Sequence, residues 1–171
     1  MKLAIICVGL SLLVALPAHA ESPSVAVFDF ELIDTSLQGE IDGQRKDEQD
    51  RLAHAAAQLR QALQESGQFR VLDIAPVASA AHNSNLQSCG GCDVLLAQQI
   101  GADLAITGVV QKVSNLILNM NIFLRDARTG QPVALMSADM RGNTDESWSR
   151  TTGWLIRNRM LAPNYGKPQS Q

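Results

Sequence analysis

Leu116, Leu118, Met120, Ile122 and Leu124 alternate with Ile117, Asn119, Asn121, Phe123 and Arg125. A period of two puts the first set on one face of a strand and the more polar set on the other. An apolar run, Leu104 to Val113, precedes this segment across Ser114-Asn115. A third run, Pro132 to Arg141, follows it across Ala127-Arg128-Thr129-Gly130-Gln131. Gly130 supplies the positive φ that a tight hairpin with a bulge needs. The pattern predicts a three-stranded antiparallel meander with an aliphatic buried face.

The spacing changes to three and four residues over Lys46 to Ser66, where Leu52, Ala55, Ala56, Leu59, Ala62 and Leu63 form a helical stripe closed by Gly67. Ser24 to Phe30 is apolar on both faces, as in a strand covered on both sides. Phe69 to Ile74 reads as its neighbour, so strand, helix and strand predict a parallel unit with a right-handed crossover. Leu32 to Arg45 reads as a polar loop, Pro76 as the start of a helical turn, and Ala81 to Ser88 as another loop. Asp93 to Ile100 and Glu146 to Leu161 are expected helices, the second opened by an Asn143/Glu146 capping box and stopped by Pro163. The fold class expected is α/β (α+β mixed). It comprises a βαβ unit, helices, the meander and a C-terminal helix, with about five strands in one mixed sheet. One domain is expected over 21–162, with a flexible tail over 163–171.

The N-terminus stands outside that pattern. Lys2, the apolar run Leu3 to Leu16 and the small-residue site Pro17-Ala18-His19-Ala20 have the three parts of a secretory signal peptide. Residues 1–20 are therefore an expected leader, cleaved after Ala20, and the expected location is the periplasm with no membrane span remaining. Cys7 lies inside the run without a lipobox, which argues against a lipoprotein. The formal charge is −3, and loss of Lys2 makes it one unit more negative. Nucleic-acid binding needs a basic face, so nucleic acid is not an expected partner. Arg141, Arg150, Arg157 and Arg159 read as a solvated helix face.

Candidate chemistry is sparse. Cys89-Gly90-Gly91-Cys92 holds the two cysteines beyond the leader, and an oxidising compartment makes them an expected disulfide. The pair serves as a structural clip or, at a helix start, as a redox couple. Asp93 follows Cys92 where haem attachment needs His, and His54 and His82 lack zinc spacing. Asp29, near the end of the first strand, is a candidate ligand residue or a loop cap. Acidic residues between Asp34 and Asp50 lack calcium-loop spacing, leaving a loose cation site as an alternative to a solvated loop. Arg141, Asn143, Thr144, Asp145, Glu146 and Trp148 form a candidate partner-binding turn, with Trp148 as surface anchor or as core. Serine-hydrolase, phosphate-loop and zinc-protease patterns are missing. No catalytic residue, metal ligand or cofactor is therefore assigned.

Val25-Ala26-Val27-Phe28-Asp29-Phe30, Gly101-Ala102-Asp103 leading to Thr107-Gly108, and Asp126-Ala127-Arg128-Thr129-Gly130, in this element order, resemble bacterial envelope domains. These are the amino-terminal domain of TolB, the curli-secretion protein CsgG and the penicillin-binding-protein activator LpoB. Cys89 to Asp93, Lys112-Val113-Ser114-Asn115 and Arg141 to Trp148 resemble the fingerprint of a family of small secreted bacterial proteins of unknown function. The resemblance implies a non-enzymatic accessory or adaptor role, binding a protein in the envelope. It also implies a loose association with quinoprotein alcohol oxidation. The lipid-anchor cysteine of CsgG and LpoB has no counterpart here. The competing expectations are a periplasmic small-molecule or metal-ion binder and a thiol-disulfide protein using Cys89 and Cys92.

Overall fold

Among the described residues six strands, β1 (Ser24–Val27), β2 (Glu31–Asp34), β3 (Arg70–Val71), β4 (Leu104–Ser114), β5 (Ile117–Asp126) and β6 (Pro132–Met140), form one mixed sheet in the order β3-β1-β4-β5-β6, with β2 also beside β4. The structure, a computed structural model, describes residues 21–165. The expected leader and the segment 166–171 of the expected tail lie outside the described residues. The helices are α1 (Leu37–Asp42), α2 (Lys46–Ser66), α3 (Ala78–His82), α4 (Cys92–Gln99) and α5 (Asp145–Leu155), which runs into a π-helical turn, Ile156–Leu161. β1 and β2 run parallel to β4, and β4, β5 and β6 form the expected antiparallel meander.

The expected strand Ser24 to Phe30 ends at Val27, and after three residues a second strand, β2, starts at Glu31. Val27 pairs with Ile106 and Glu31 with Val109, so three residues, Phe28 to Phe30, face two, Thr107 and Gly108. An extra residue reverses which face each later side chain takes. Val25 and Val27 join the main core, Phe28 joins the opposite one, and after the bulge Phe30 and Leu32 return to the main core. The Phe30 ring then lies on Gly108, where a Cβ would meet its atoms at 2.4 Å. The two motifs thus meet because only glycine leaves room for the ring.

Leu118, Met120, Ile122 and Leu124 face α2 and α5 together with Met136 and Met140, as the alternation predicts. Leu116 departs from it and stands exposed in the β4–β5 turn. A smaller core on the other face joins Ala26, Phe28 and Ala105 to Val77, Leu96 and Ala97. The expected polar loop 32–45 contains β2 and α1, the latter capped by the Ser36 hydroxyl, which accepts from the Gly39 amide at 3.1 Å. The α5 cap is also corrected: Thr144, rather than Asn143, accepts the Ser147 amide at 3.2 Å. Ala162 to Tyr165 form a turn, and Tyr165 packs against the main core.

Candidate functional site

Lys112 occupies a core-facing position of β4. Its period-two companions Leu104, Ile106 and Val110 are in the main core, yet Lys112 itself is only 1% exposed. Its Nζ donates to Asp34 Oδ2 at 2.9 Å and to Glu48 Oε1 at 2.6 Å. Glu48 is fully buried on the α2 stripe that continues through Ala55, Ala56, Leu59 and Leu63. A buried charge needs a partner and hydrogen bonds, so these groups hold β2, α2 and β4 in one arrangement.

The network continues into the fingerprint turn. Asn143 Nδ2 donates to Glu48 Oε1 at 2.6 Å and to Asn115 Oδ1 at 3.2 Å. Asn143 Oδ1 accepts from Trp148 Nε1 at 2.9 Å and from Arg51 at 3.3 Å. Arg51 also pairs with Asp47 and, at 2.7 Å, with Asp145. Glu48 Oε2 has no hydrogen-bond partner among the described residues. Asn143 is thus the hinge of the β6–α5 turn rather than a surface contact. Trp148, 2% exposed, is core, because its indole fills the space under α2 while its N–H is used internally. The surface-anchor role is corrected accordingly. Arg141, Thr144, Asp145 and Glu146 remain exposed on the turn.

Burial alone pushes the Lys112 ammonium down, but its hydrogen bonds to Asp34 and Glu48 outweigh this and hold it above the usual lysine value. Burial pushes the Asp34 carboxyl up, and hydrogen bonds from Lys112 and Ser36 outweigh that and hold it below the usual value. Asp103 is held low by bonds from Ser24, which donates to its Oδ2 through both hydroxyl and amide. Stabilisation from a raised lysine is complete below its ordinary value of 10.5 and disappears as pH rises through the folded value. Stabilisation from a lowered aspartate is complete above 3.8 and disappears as pH falls through the folded value. Melting temperature measured across pH should therefore be level around neutrality and fall at both extremes. Asp34→Asn should weaken the acid limb, and an unchanged limb would contradict the assigned role of Asp34.

A cleft of about 600 Å³ separates the starts of α2 and α5 and is lined by Asp47, Asp50, Arg51, His54, Asp145 and Glu146. Its acidic side chains are all paired: Asp50 with Lys46, Asp47 with Arg45 and Arg51, Asp145 with Arg51, and Glu146 with Arg150. Arg141 lines a neighbouring hollow with Asp139, Glu146 and Arg150. Asp29 is the residue expelled by the bulge, and it accepts from Arg60 at 2.6 Å at the rim of a cleft of about 800 Å³ that includes Glu31 and His82. The acidic residues expected to share a loop are dispersed over β2, α1 and α2. No three His, Cys, Asp or Glu side chains gather to hold a metal among the described residues. Cys89 and Cys92 are joined as a disulfide at the start of α4, and Cys92 packs on the smaller core. Next to it, buried Asp93 accepts from Arg125 at 2.8 Å, tying α4 to β5.

Comparison with solved structures shows a fold in common with LpoB. The solution structure of Escherichia coli LpoB matches with a TM-score of 0.51 and 13% identity, covering 84% of this chain and 81% of that one. A Neisseria meningitidis lipoprotein matches at 0.46 and 20% identity, over 85% and 99%. TolB from Acinetobacter baumannii matches at 0.43 and 12% identity, over 84% of this chain and 29% of that one. No curated protein matches the sequence. A family model described as a protein of unknown function (DUF2380) matches residues 23–160, which takes in the bulge, the disulfide, Lys112 and the Asn143 turn. The chain therefore belongs to the DUF3280 family of proteins of unknown function.

Proposed function

We propose that this chain is a non-enzymatic accessory protein of the periplasm that binds a protein partner in the cell envelope. The binding surface would combine Arg141, Thr144, Asp145 and Glu146 with the free edge of β6. The observation that carries this reading is the anchoring of the turn. Asn143 and Trp148 hold it from beneath through Glu48, so the four exposed side chains are presented without further ordering. A preorganised surface loses less entropy on binding. The adjoining strand has nine residues and pairs only with β5 among the described residues, leaving a row of backbone groups that an added strand can bond. The fold shared with LpoB supports an envelope setting. An association with quinoprotein alcohol oxidation is a finer form of the same proposal.

The test is capture from periplasmic extract with wild type and with Asp145→Asn/Glu146→Gln. These positions are exposed, so stability should change by less than about 1 kcal/mol. The expected result is loss of one specific partner with melting temperature nearly unchanged. Equal recovery of every captured protein would reject this surface.

A further inference from the structure

The end of the sheet that carries α1 and the β4–β5 turn displays five large aliphatic side chains to solvent. Leu37, Ile41, Val113, Leu116 and Ile117 are between 59% and 74% exposed. α1 is held beside the β4–β5 turn, because Asn115 Nδ2 donates to Gln38 Oε1 at 2.7 Å and the Thr35 amide donates to the Lys112 carbonyl at 2.9 Å. The outward aim of α1 is forced. Gly39 sits on the Asp34 carboxyl group, where a Cβ would lie 2.5 Å from the carboxyl carbon. At about 100° per residue, Leu37 and Ile41 fall on the side of the helix opposite Gly39. The helix therefore turns its polar backbone face to the buried Lys112 network and its apolar pair to water. Apolar side chains grouped in this way on a water-soluble surface mark an interaction site.

The charges beside this patch say what covers it. On the α1 flank, Glu40 and Asp42 are exposed and join no ion pair among the described residues. On the β6 flank stands Arg141, one residue past Met140, which pairs with Leu118, and Arg141 likewise joins no ion pair among the described residues. Across the tip the order is acid, apolar, base. We infer that this tip is the contact between two copies of the chain, related by a two-fold axis through Leu116 and Ile117. Such an axis makes an interface self-complementary, and here it turns the Arg141 of each copy toward Glu40 and Asp42 of the other. The alternatives fit less well. An anionic lipid surface meets the acidic flank with repulsion, and the charges rimming the chain's own cleft between α2 and α5 are already paired, Lys46 with Asp50, Arg51 with Asp145 and Arg150 with Glu146, so the cleft offers that flank no free cation among the described residues.

The inference goes beyond the partner-binding proposal, since no second protein enters its test. Sedimentation equilibrium of the purified chain, from low to high micromolar, should show the average mass rising toward twice that of one copy. Leu116→Asp should stay at the mass of one copy, with its circular dichroism unchanged. Arg141→Glu should weaken association by about tenfold or more, the scale of close charge pairs at an interface. Glu40→Arg/Asp42→Arg combined with Arg141→Glu should restore it, which a merely destabilised fold would not do. Raised salt should weaken the wild-type contact. A wild type that stays at one copy throughout, a Leu116→Asp chain that still associates, or a tip that binds phosphatidylglycerol vesicles while remaining single would each overturn the inference.

Discussion

Replacing Lys112 with methionine should lower the unfolding free energy by about 3–5 kcal/mol, the range seen when one member of a buried ion pair is removed. Methionine keeps much of the apolar stem and removes the ammonium. Glu48, fully buried, then loses its cationic partner, and its other oxygen already has no hydrogen-bond partner among the described residues. Asp34 keeps only the Ser36 amide and the Ser36-capped helix nearby to offset its charge. Urea unfolding at neutral pH measures the change, with an unaltered m-value showing that the native state is still compact. The variant should also lose the alkaline fall in melting temperature that titration of Lys112 gives the wild type. A change below about 1 kcal/mol, the size of an exposed pair, would show that the carboxylates are satisfied without the lysine.

Truncating Trp148 to alanine should cost about 3–5 kcal/mol, because a large core side chain is removed and its space cannot fully close. Trp148→Phe should cost less. It keeps most of the ring but withdraws the N–H from Asn143 Oδ1, which retains Arg51 as a donor at 3.3 Å. A difference of about 1–3 kcal/mol between phenylalanine and wild type is the scale for an under-bonded buried acceptor. Both variants are read by urea unfolding followed by circular dichroism. Because the alanine variant changes stability, the surface charges on the turn are the informative positions for binding. Stability close to wild type for Trp148→Ala would contradict the placement of the indole in the core.

The meander and α2 were legible because each repeats one period over ten residues or more, long enough for a single face to declare itself. The bulge was not, because Phe28, Asp29 and Phe30 look like one strand until Gly108 is placed beneath the Phe30 ring. Nor was the Lys112 network, since its members lie far apart in the chain. A signal existed nonetheless. Glu48 falls on the same helical stripe as Leu52, Ala55, Leu59 and Leu63, and Lys112 falls in step with Ile106 and Val110. Two opposite charges, each at a position that periodicity assigns to a core, are candidates for one another. The α5 cap was misplaced by one residue because Asn143 and Thr144 both suit an N-cap, and Asn143 is drawn inward by Glu48. The turn was legible as a candidate surface, but which of its side chains face water depends on that inward pull.

Lys112, Glu48 and Asn143 act as one unit holding the β6–α5 turn. Lys112 and Asn143 do not bond each other; they share Glu48 Oε1, at 2.6 Å from each. A double-mutant cycle with Lys112→Met, Asn143→Ala and the combined variant tests this directly. A coupling energy above about 0.5 kcal/mol is expected, whereas additivity within about 0.3 kcal/mol would mean independent sites and contradict a shared unit.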